Sequence, residues 1–505
     1  MTRRDFIGGA AALGAFGGLR AFGAKAGTTS GRPNLRVGLI SDLHIQVNAA
    51  TGKVVGFSDD RTFLHALEYF RDIEVDAVVI PGDLTDYGKI SEMELVAKDW
   101  FSVFPDDRLP NGRKVERLFT FGNHDWDYFC KDPKWALSRY GAEKEEDVLK
   151  LILHGDPKGI WERLWHEPFE HYFTREIRGY RFFAAHWMDG KSTMECFGGA
   201  KDFLERNKAL IDPKRPFFYV QHAPPQGTVF PWTQVSDYGA LGPALKPHPN
   251  AIALVGHSHL SVADERSIWQ DEYTVVNAGC LRWTDAPNYS RKPFGYENSR
   301  SPVDRAKNDP VKMMRLGWAD WEARQGLVME VFDDRVVFRR RDFLHDLSLG
   351  DDWVVPTGPE RPYSFARRTK EMAAPQFAKG AKLVVTRGKA KTRGIDPNVV
   401  GPDCVEKDCL SVTIPQAHAI RGVRPAEYDI EIRTAAKTEH SRYVLDVGYG
   451  HSLDYRPRQR EVTCPVAVEN LPQGGEFRFV VTPIGFFGRK GRSLVSQSFK
   501  LTDVS

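Results

Sequence analysis

The chain has 505 residues, 41% hydrophobic and 27% charged, a globular composition that supplies a sizeable core and suits roughly two to three domains of about 150 residues each. Its formal net charge of +3 is too near zero to mark a nucleic-acid or membrane-surface protein, so charge leaves the partner open. The six cysteines show no CxxC spacing, which argues against a thiolate zinc site and leaves buried thiols or disulfides.

Taken in chain order, the first distinctive feature is Thr2-Arg3-Arg4-Asp5-Phe6-Ile7, followed by a Gly/Ala-rich apolar run from Gly8 to Gly18 and ending at Ala24-Lys25-Ala26. Glycines weaken this run as a helix, and it is short for a bilayer span. Residues 1–26 look like a twin-arginine export signal, which implies the twin-arginine machinery as a partner and a bacterial periplasmic or extracellular location. No other stretch approaches about 18 consecutive apolar residues, so no membrane span is expected in the mature chain.

From Leu35 onward short apolar runs alternate with amphipathic ones, the pattern of an α/β domain whose strands are buried on both faces. Strands are predicted at Leu35 to Ile40, Ala77 to Ile80, Leu118 to Phe121, Tyr180 to Ala185, Pro216 to Val220, Ala251 to Val255 and Tyr273 to Val276. Helices are predicted at Phe63 to Ile73, Glu92 to Val103 and Ala200 to Leu210. A polar stretch rich in Pro, Asn, Arg and Tyr from Leu281 to Gln325 reads as a long loop beside the site. A hairpin follows at Leu327 to Phe332 and Arg335 to Arg339, turning at Asp333-Asp334.

An α/β domain is expected over 34–345, a Pro-rich linker over 346–378, and an all-β domain over 379–505. Seven strand-like runs in that last segment, from Lys382 to Thr386 through Leu494 to Leu501, point to a β-sandwich. Leu471-Pro472-Gln473-Gly474-Gly475-Glu476-Phe477-Arg478-Phe479 resembles the corner of a fibronectin type III domain, with Phe477 where a tyrosine is usual. Cys404, Cys409 and Cys464 offer one disulfide there, with the pairing unreadable.

Chemistry-bearing residues fall at the ends of the predicted strands, where a parallel sheet presents its loops to a ligand. Ser41-Asp42-Leu43-His44 follows the first, Gly82-Asp83-Leu84-Thr85-Asp86 the second and Gly122-Asn123-His124-Asp125 the third. Gln221-His222-Ala223-Pro224 and Gly256-His257-Ser258-His259 end two later ones. Imidazole and carboxylate together suit transition metals such as Mn, Fe and Zn.

These five blocks, in this order over about residues 34–345, resemble the calcineurin-like metallophosphoesterases. The resemblance implies a β-sandwich flanked by helices, followed here by the immunoglobulin/fibronectin-like sandwich. It also implies a phosphoester substrate and two divalent transition metals. By resemblance Asp42, His44 and His259 hold one metal, Asn123, His222 and His257 the other, and Asp83 bridges both. A metal-bound hydroxide would be the nucleophile. His124 would protonate the leaving oxygen or stabilise developing charge, with Asp125 or Asp86 orienting it.

His186 and Arg282 are further candidates for substrate contact, as are Trp126, Tyr128 and Trp283. The block forms lean toward phosphodiesterase, with a phosphomonoesterase of nucleotidase or acid phosphatase type as the alternative. A non-enzymatic cell-envelope binding protein is the alternative from another class.

Overall fold

Strands that are apolar on both faces must be covered on both faces, and this requirement organises the chain into layers. The computed structural model describes residues 31–47, 61–126, 137, 140–188, 192–229, 236–284, 312–316, 323–392, 405–418, 425–435, 439–446 and 461–504. The strands run β1 (Leu35–Leu39), β2 (Ala77–Pro81), β3 (Glu116–Thr120), β4 (Tyr172–Ile177), β5 (Tyr180–Ala185), β6 (Phe217–Val220), β7 (Ala251–Val255), β8 (Ile268–Gln270) and β9 (Thr274–Asn277). There follow β10 (Lys312–Leu316), β11 (Gln325–Val331), β12 (Arg335–Asp342), β13 (Leu347–Ser348) and β14 (Trp353–Pro356). The C-terminal part adds β15 (Val384–Thr392), β16 (Val405–Pro415), β17 (Glu427–Thr434), β18 (Glu439–Asp446), β19 (Glu461–Ala467), β20 (Phe477–Ile484) and β21 (Leu494–Val495).

One sheet has the order β13-β12-β11-β1-β2-β3, with β14 also on β12, and a second has the order β4-β5-β6-β7-β9-β8. Successive side chains of a strand point to opposite faces. Val37 and Leu39 of β1 and Val79 of β2 therefore meet Phe182 and Ala184 of β5 and Phe218 and Val220 of β6 in a core between the sheets. Val78 and Ile80 turn outward under Phe70 of helix Arg61–Asp72 and Trp100 of helix Ile90–Val103. On the far side, Phe183, Phe217 and Tyr219 meet Phe203 and Leu204 of helix Ala200–Arg206. Four layers result: helix, sheet, sheet, helix. Each fully buried Phe or Leu contributes about 1.5–3 kcal/mol to holding them together.

The strands β1, β2 and β3 are parallel, as are β5, β6, β7 and β9. Their carboxyl ends are stitched to one another across both sheets. Asp42 N–H donates to Gly82 O at 3.2 Å, His44 N–H to Asp83 O at 3.0 Å, Gly256 N–H to His222 O at 2.9 Å and Leu281 N–H to Ser41 O at 3.0 Å.

The C-terminal strands form two further sheets, β15-β16-β19 and β10-β18-β17-β20-β21. Leu410, Val412 and Ile414 of β16 face Ile430 and Ile432 of β17 and Phe477 and Phe479 of β20 across a shared core, which makes the expected all-β sandwich.

Three expectations change. The segment 346–378 is not a plain linker: β14 joins the first sheet through β12, burying Trp353 and Val355, and helix Phe365–Glu371 follows. The stretch after Leu281 is not loop throughout, because β10 adds a strand to the C-terminal sheet by pairing with β18. Cys409 and Cys464 are both free and buried, since the β16–β19 register sets Cys464 opposite Val412. Cys404, Cys130 and the export segment 1–26 lie outside the described residues.

The sandwich is docked against the rest of the chain. Phe486 and Phe487 pack on Phe365 and Met372, and the Arg368 guanidinium lies 4.5 Å from the Phe487 ring. Arg368 also donates to the carbonyls of Glu265 and Ile268, the latter at 2.6 Å.

Candidate metal centre

The strand ends turn sharply to bring their side chains together. Asp42, His44, Asp83, His257 and His259 all have positive φ, from 46° to 66°, a region that costs non-glycine residues of order 1–3 kcal/mol and is concentrated at functional sites. The stitching between the strand ends holds them there. In Asp42-Leu43-His44 and in His257-Ser258-His259, two such residues flank one other, and members of both pairs reach the same cavity.

Asp42, His44, Asp83 and His259 offer ligand atoms all within 4.8 Å of one another, and so do Asp83, His222 and His257. Asp83 belongs to both groups: its Oδ2 lies 3.5 Å from His44 Nε2 and 3.1 Å from His222 Nε2. Asp42 Oδ1 lies 3.1 Å from His259 Nε2, and both its oxygens accept the His257 N–H at 3.2 Å.

His44 Nε2 and His259 Nε2 face each other at 3.1 Å. Asp83 Oδ2, Asn123 Oδ1 and His222 Nε2 are buried without a hydrogen-bond partner, although His222 Nε2 and Asp83 Oδ2 lie 3.1 Å apart. Buried polar atoms are normally satisfied, so the unpartnered Asp83 Oδ2 and His222 Nε2, facing each other within the two ligand groups, fit a cation there.

The opposite ring nitrogens are engaged behind the cage. His44 Nδ1 lies 3.1 Å from Asp86 Oδ1, His222 Nδ1 2.7 Å from Pro81 O, and His259 Nδ1 3.5 Å from Cys280 Sγ. Each partner fixes the ring so that Nε2 faces the cavity, the arrangement that metal-ligating histidines use.

Electrostatics follow the geometry. Burial alone would raise Asp42 and Asp83, but the facing histidines outweigh it and hold both carboxyls below the ordinary range. Burial pushes His44 down to about 4 and His257 to about 3, whereas for His222 the effect of burial is overcome by Asp83, which lifts it to about 9.

His124 sits at the edge of the cage. Its side chain is 33% exposed where that of His44 is sealed, and its ring stands edge-on to His44 at 4.5 Å. His124 Nδ1 lies 3.0 Å from Asp86 O and 3.7 Å from Asp86 Oδ1, and its backbone N–H donates to Asp83 Oδ1 at 2.9 Å. Of the two expected orienting carboxylates, Asp86 is thus the one brought to the ring. The Asp125 carboxylate instead accepts from Thr85 N, Thr85 Oγ1 and Gly122 N at 2.8–2.9 Å, bolting two loops together. Burial, with Asp83 nearby, raises Asp125 to about 7.

The calcineurin-like phosphoesterase family model matches residues 35–261, from β1 through the Gly256–His259 turn. Residues 35–261 are a calcineurin-like phosphoesterase domain. The domain makes the chain a phosphoester hydrolase, and its buried carboxylate and imidazole cluster fits divalent metals. No curated protein matches the chain.

Among solved structures, a dimetal phosphatase from Danio rerio is similar at 11% identity, with 65% of this chain and 100% of that one covered and a TM-score of 0.36. A purple acid phosphatase from yellow lupin (Lupinus luteus) is similar at 14% identity, covering 64% of this chain and 55% of that one, with a TM-score of 0.39. Vacuolar Protein Sorting 29 from Cryptosporidium parvum is similar at 13% identity, covering 64% and 95%, with a TM-score of 0.26.

One expected substrate contact, His186, is reassigned. His186 is 1% exposed in a cage of Phe121, Trp161, Phe169 and Phe173, and its Nδ1 accepts the Phe121 N–H at 3.0 Å. It faces the core behind the Gly122–Asp125 loop. Arg282 stays beside the cage, its guanidinium pairing with Asp86 Oδ1 at 2.5 Å.

Trp126 is buried, its Nε1 donating to Trp187 O at 2.6 Å, and Tyr128 lies outside the described residues. Trp283 and Trp187 flank the cage, with ring centroids 4.3 Å from His259 and 5.5 Å from His257 respectively. Sequence reasoning missed Cys280 and Trp187. The available signal was position, since each follows a parallel strand, as the candidate ligands do.

Proposed function

We propose that this chain hydrolyses phosphoesters, with a preference for diesters, at a dinuclear centre held by Asp42, His44, Asp83, Asn123, His222, His257 and His259. The observation that carries the reading is Asp83: one carboxylate common to two ligand groups, with its Oδ2 facing imidazole nitrogens of both. Two divalent cations in such a cage supply Lewis acidity and a water acidified toward about pH 7, which suits in-line displacement at phosphorus. Donors of mixed imidazole and carboxylate type favour Mn, Fe or Zn.

The remaining work falls to side chains. His124, partly exposed and held through Nδ1 against Asp86, is placed to give a proton to the leaving oxygen or to stabilise charge on it. Asp86, paired with Arg282, keeps His44 and His124 in register. Burial would raise the Asp86 carboxyl, but the bonds from His44 and Arg282 hold it well below the carboxylate range, so it serves as a fixed acceptor.

The diester preference rests on the forms of the Gly82–Asp86 and Gly122–Asp125 blocks. Export by the twin-arginine route to the periplasm or beyond rests on Arg3-Arg4 and the run after them, and would let a folded, metal-loaded protein leave the cytoplasm. No helix among the described residues is long and apolar enough to cross a membrane.

The test is hydrolysis of bis(4-nitrophenyl) phosphate and 4-nitrophenyl phosphate, with and without Mn²⁺ and chelator, alongside metal content. Metal-dependent turnover favouring the diester is expected, and Asp83→Ala should lose both turnover and metal. Faster turnover of the monoester would move the assignment to a phosphomonoesterase. A chain that neither binds metal nor turns over either ester would end the enzymatic reading.

A further inference from the structure

Behind the cage, Cys280 is buried and makes four polar contacts. Its Sγ–H is placed to donate to Asp42 O at 3.4 Å, and the backbone N–H groups of Arg282 and Trp283 each donate to the sulfur at 3.3 Å. The fourth contact is with His259 Nδ1 at 3.5 Å. A sulfur that donates to Asp42 O accepts from the imidazole, an arrangement in which His259 carries a proton on Nδ1. Nε2 then keeps its lone pair, and Nε2 is the nitrogen 3.1 Å from both Asp42 Oδ1 and His44 Nε2.

The same thiol reaches the main chain of one candidate ligand, the ring of a second, and the turn that carries Arg282 and Trp283. Arg282 in turn holds Asp86, and Trp283 lies against the His44 and His259 rings at 4.9 and 4.3 Å.

We propose that Cys280 is a positioning residue for the metal centre: its side chain sets the angle of the His259 ring and pins the Asp42 backbone on which one of the two metal sites is built. The inference rests on the dinuclear reading above. It makes Cys280 the counterpart, for His259, of Asp86 for His44 and of the Pro81 carbonyl for His222. The sulfur lies on the side of His259 away from the cage, so it acts through that ligand and is not one itself. A hydroxyl can reproduce one donor and several acceptor contacts, whereas a methyl group reproduces neither.

The experiment is Co²⁺ titration of the full chain, followed by visible absorption, for the wild type, Cys280→Ala and Cys280→Ser. Circular dichroism checks that each variant is folded. Loss of a hydrogen-bonded partner behind a ligand costs about 10–100-fold in metal affinity. Cys280→Ala should therefore weaken one of the two Co²⁺ sites by about that factor and leave the other in place, and Cys280→Ser should recover most of the loss. If Cys280→Ala does not fold, Cys280→Val takes its place, filling the volume without a donor or acceptor.

Folded Ala or Val variants that bind both Co²⁺ ions as the wild type does would overturn the proposal. So would a Ser variant as impaired as the Ala variant, because the contacts would then not matter. A wild type that binds no Co²⁺ would instead overturn the dinuclear reading and carry this inference with it.

Discussion

His124 and His186 both lie near the metal cage, and their surroundings assign them opposite work. His124 is one third exposed and oriented through Nδ1, so replacing it should slow proton transfer without dismantling the cage. His124→Ala is expected to lower kcat by about 10²–10⁴ on an ester with a poor leaving group, and by much less on a nitrophenyl ester, with metal content unchanged. Parallel kinetics and metal analysis check this, and equal losses on both esters would remove the acid role.

His186 is sealed among aromatic rings, and burial holds it at about 3, far below the ordinary imidazole value near 6.5. Between those values the unfolded chain binds a proton that the folded chain refuses. The stabilising contribution is thus complete above pH 6.5 and is lost as pH falls toward 3. Each pH unit in that window costs up to about 1.4 kcal/mol. His186→Gln keeps an acceptor for the Phe121 N–H but cannot titrate. It should be less stable than the wild type at pH 7, and should lose about 2 kcal/mol less on going from pH 7 to 5, as read by urea unfolding.

At the level of elements, the site exists because strand ends from two sheets approach closely enough to share ligands. Gly256 marks the tightest point: a Cβ there would stand 2.0 Å from Ser41 Oγ and 2.7 Å from Asp42 Oδ2, at the end of β1 in the other sheet. Gly256→Ala must push Asp42 away. Metal affinity should fall at least tenfold, at the strain cost of about 1–3 kcal/mol typical of overpacking. Metal titration and thermal melting together check it, and unchanged affinity would show that the sheets have slack.

The same elements show what sequence reading could reach. The strands β5 and β7 are found at the predicted Tyr180 to Ala185 and Ala251 to Val255, because unbroken apolar runs between turn residues have few other ways to be buried. Strand β4 was missed, since Thr174, Arg175 and Glu176 interrupt its pattern at the sheet edge. The candidate ligands were legible as ordered blocks after strands. Direction was not: His186 and His222 each follow a strand, and only packing turns the first into the aromatic core and the second toward Asp83. Cys280 carried the same positional signal, following β9, but position alone does not separate a buried thiol that fills space from one that supports a ligand.

For the whole molecule, the question is whether the C-terminal sandwich is a tethered module or part of one body. Two links favour one body. Strand β10, which lies between the phosphoesterase strands and β11 in sequence, pairs with β18 over five residues from Lys312 to Leu316. Arg368 caps the carbonyls of Glu265 and Ile268 while lying against Phe487, next to the Phe486–Phe365 contact region.

Burial lowers even the Arg368 guanidinium to about 10, so the residue is held at a desolvation cost that only its partners offset. Removing it takes a charged donor from two carbonyls and uncovers an aromatic face, a loss on the order of 2–4 kcal/mol concentrated at the join. Calorimetry should show the wild type unfolding in one transition and Arg368→Ala in two, the sandwich melting first, with metal content intact because no cage residue touches the join. If Arg368→Ala still melts in one transition at a lower temperature, the coupling is carried elsewhere, and β10 becomes the link to cut next.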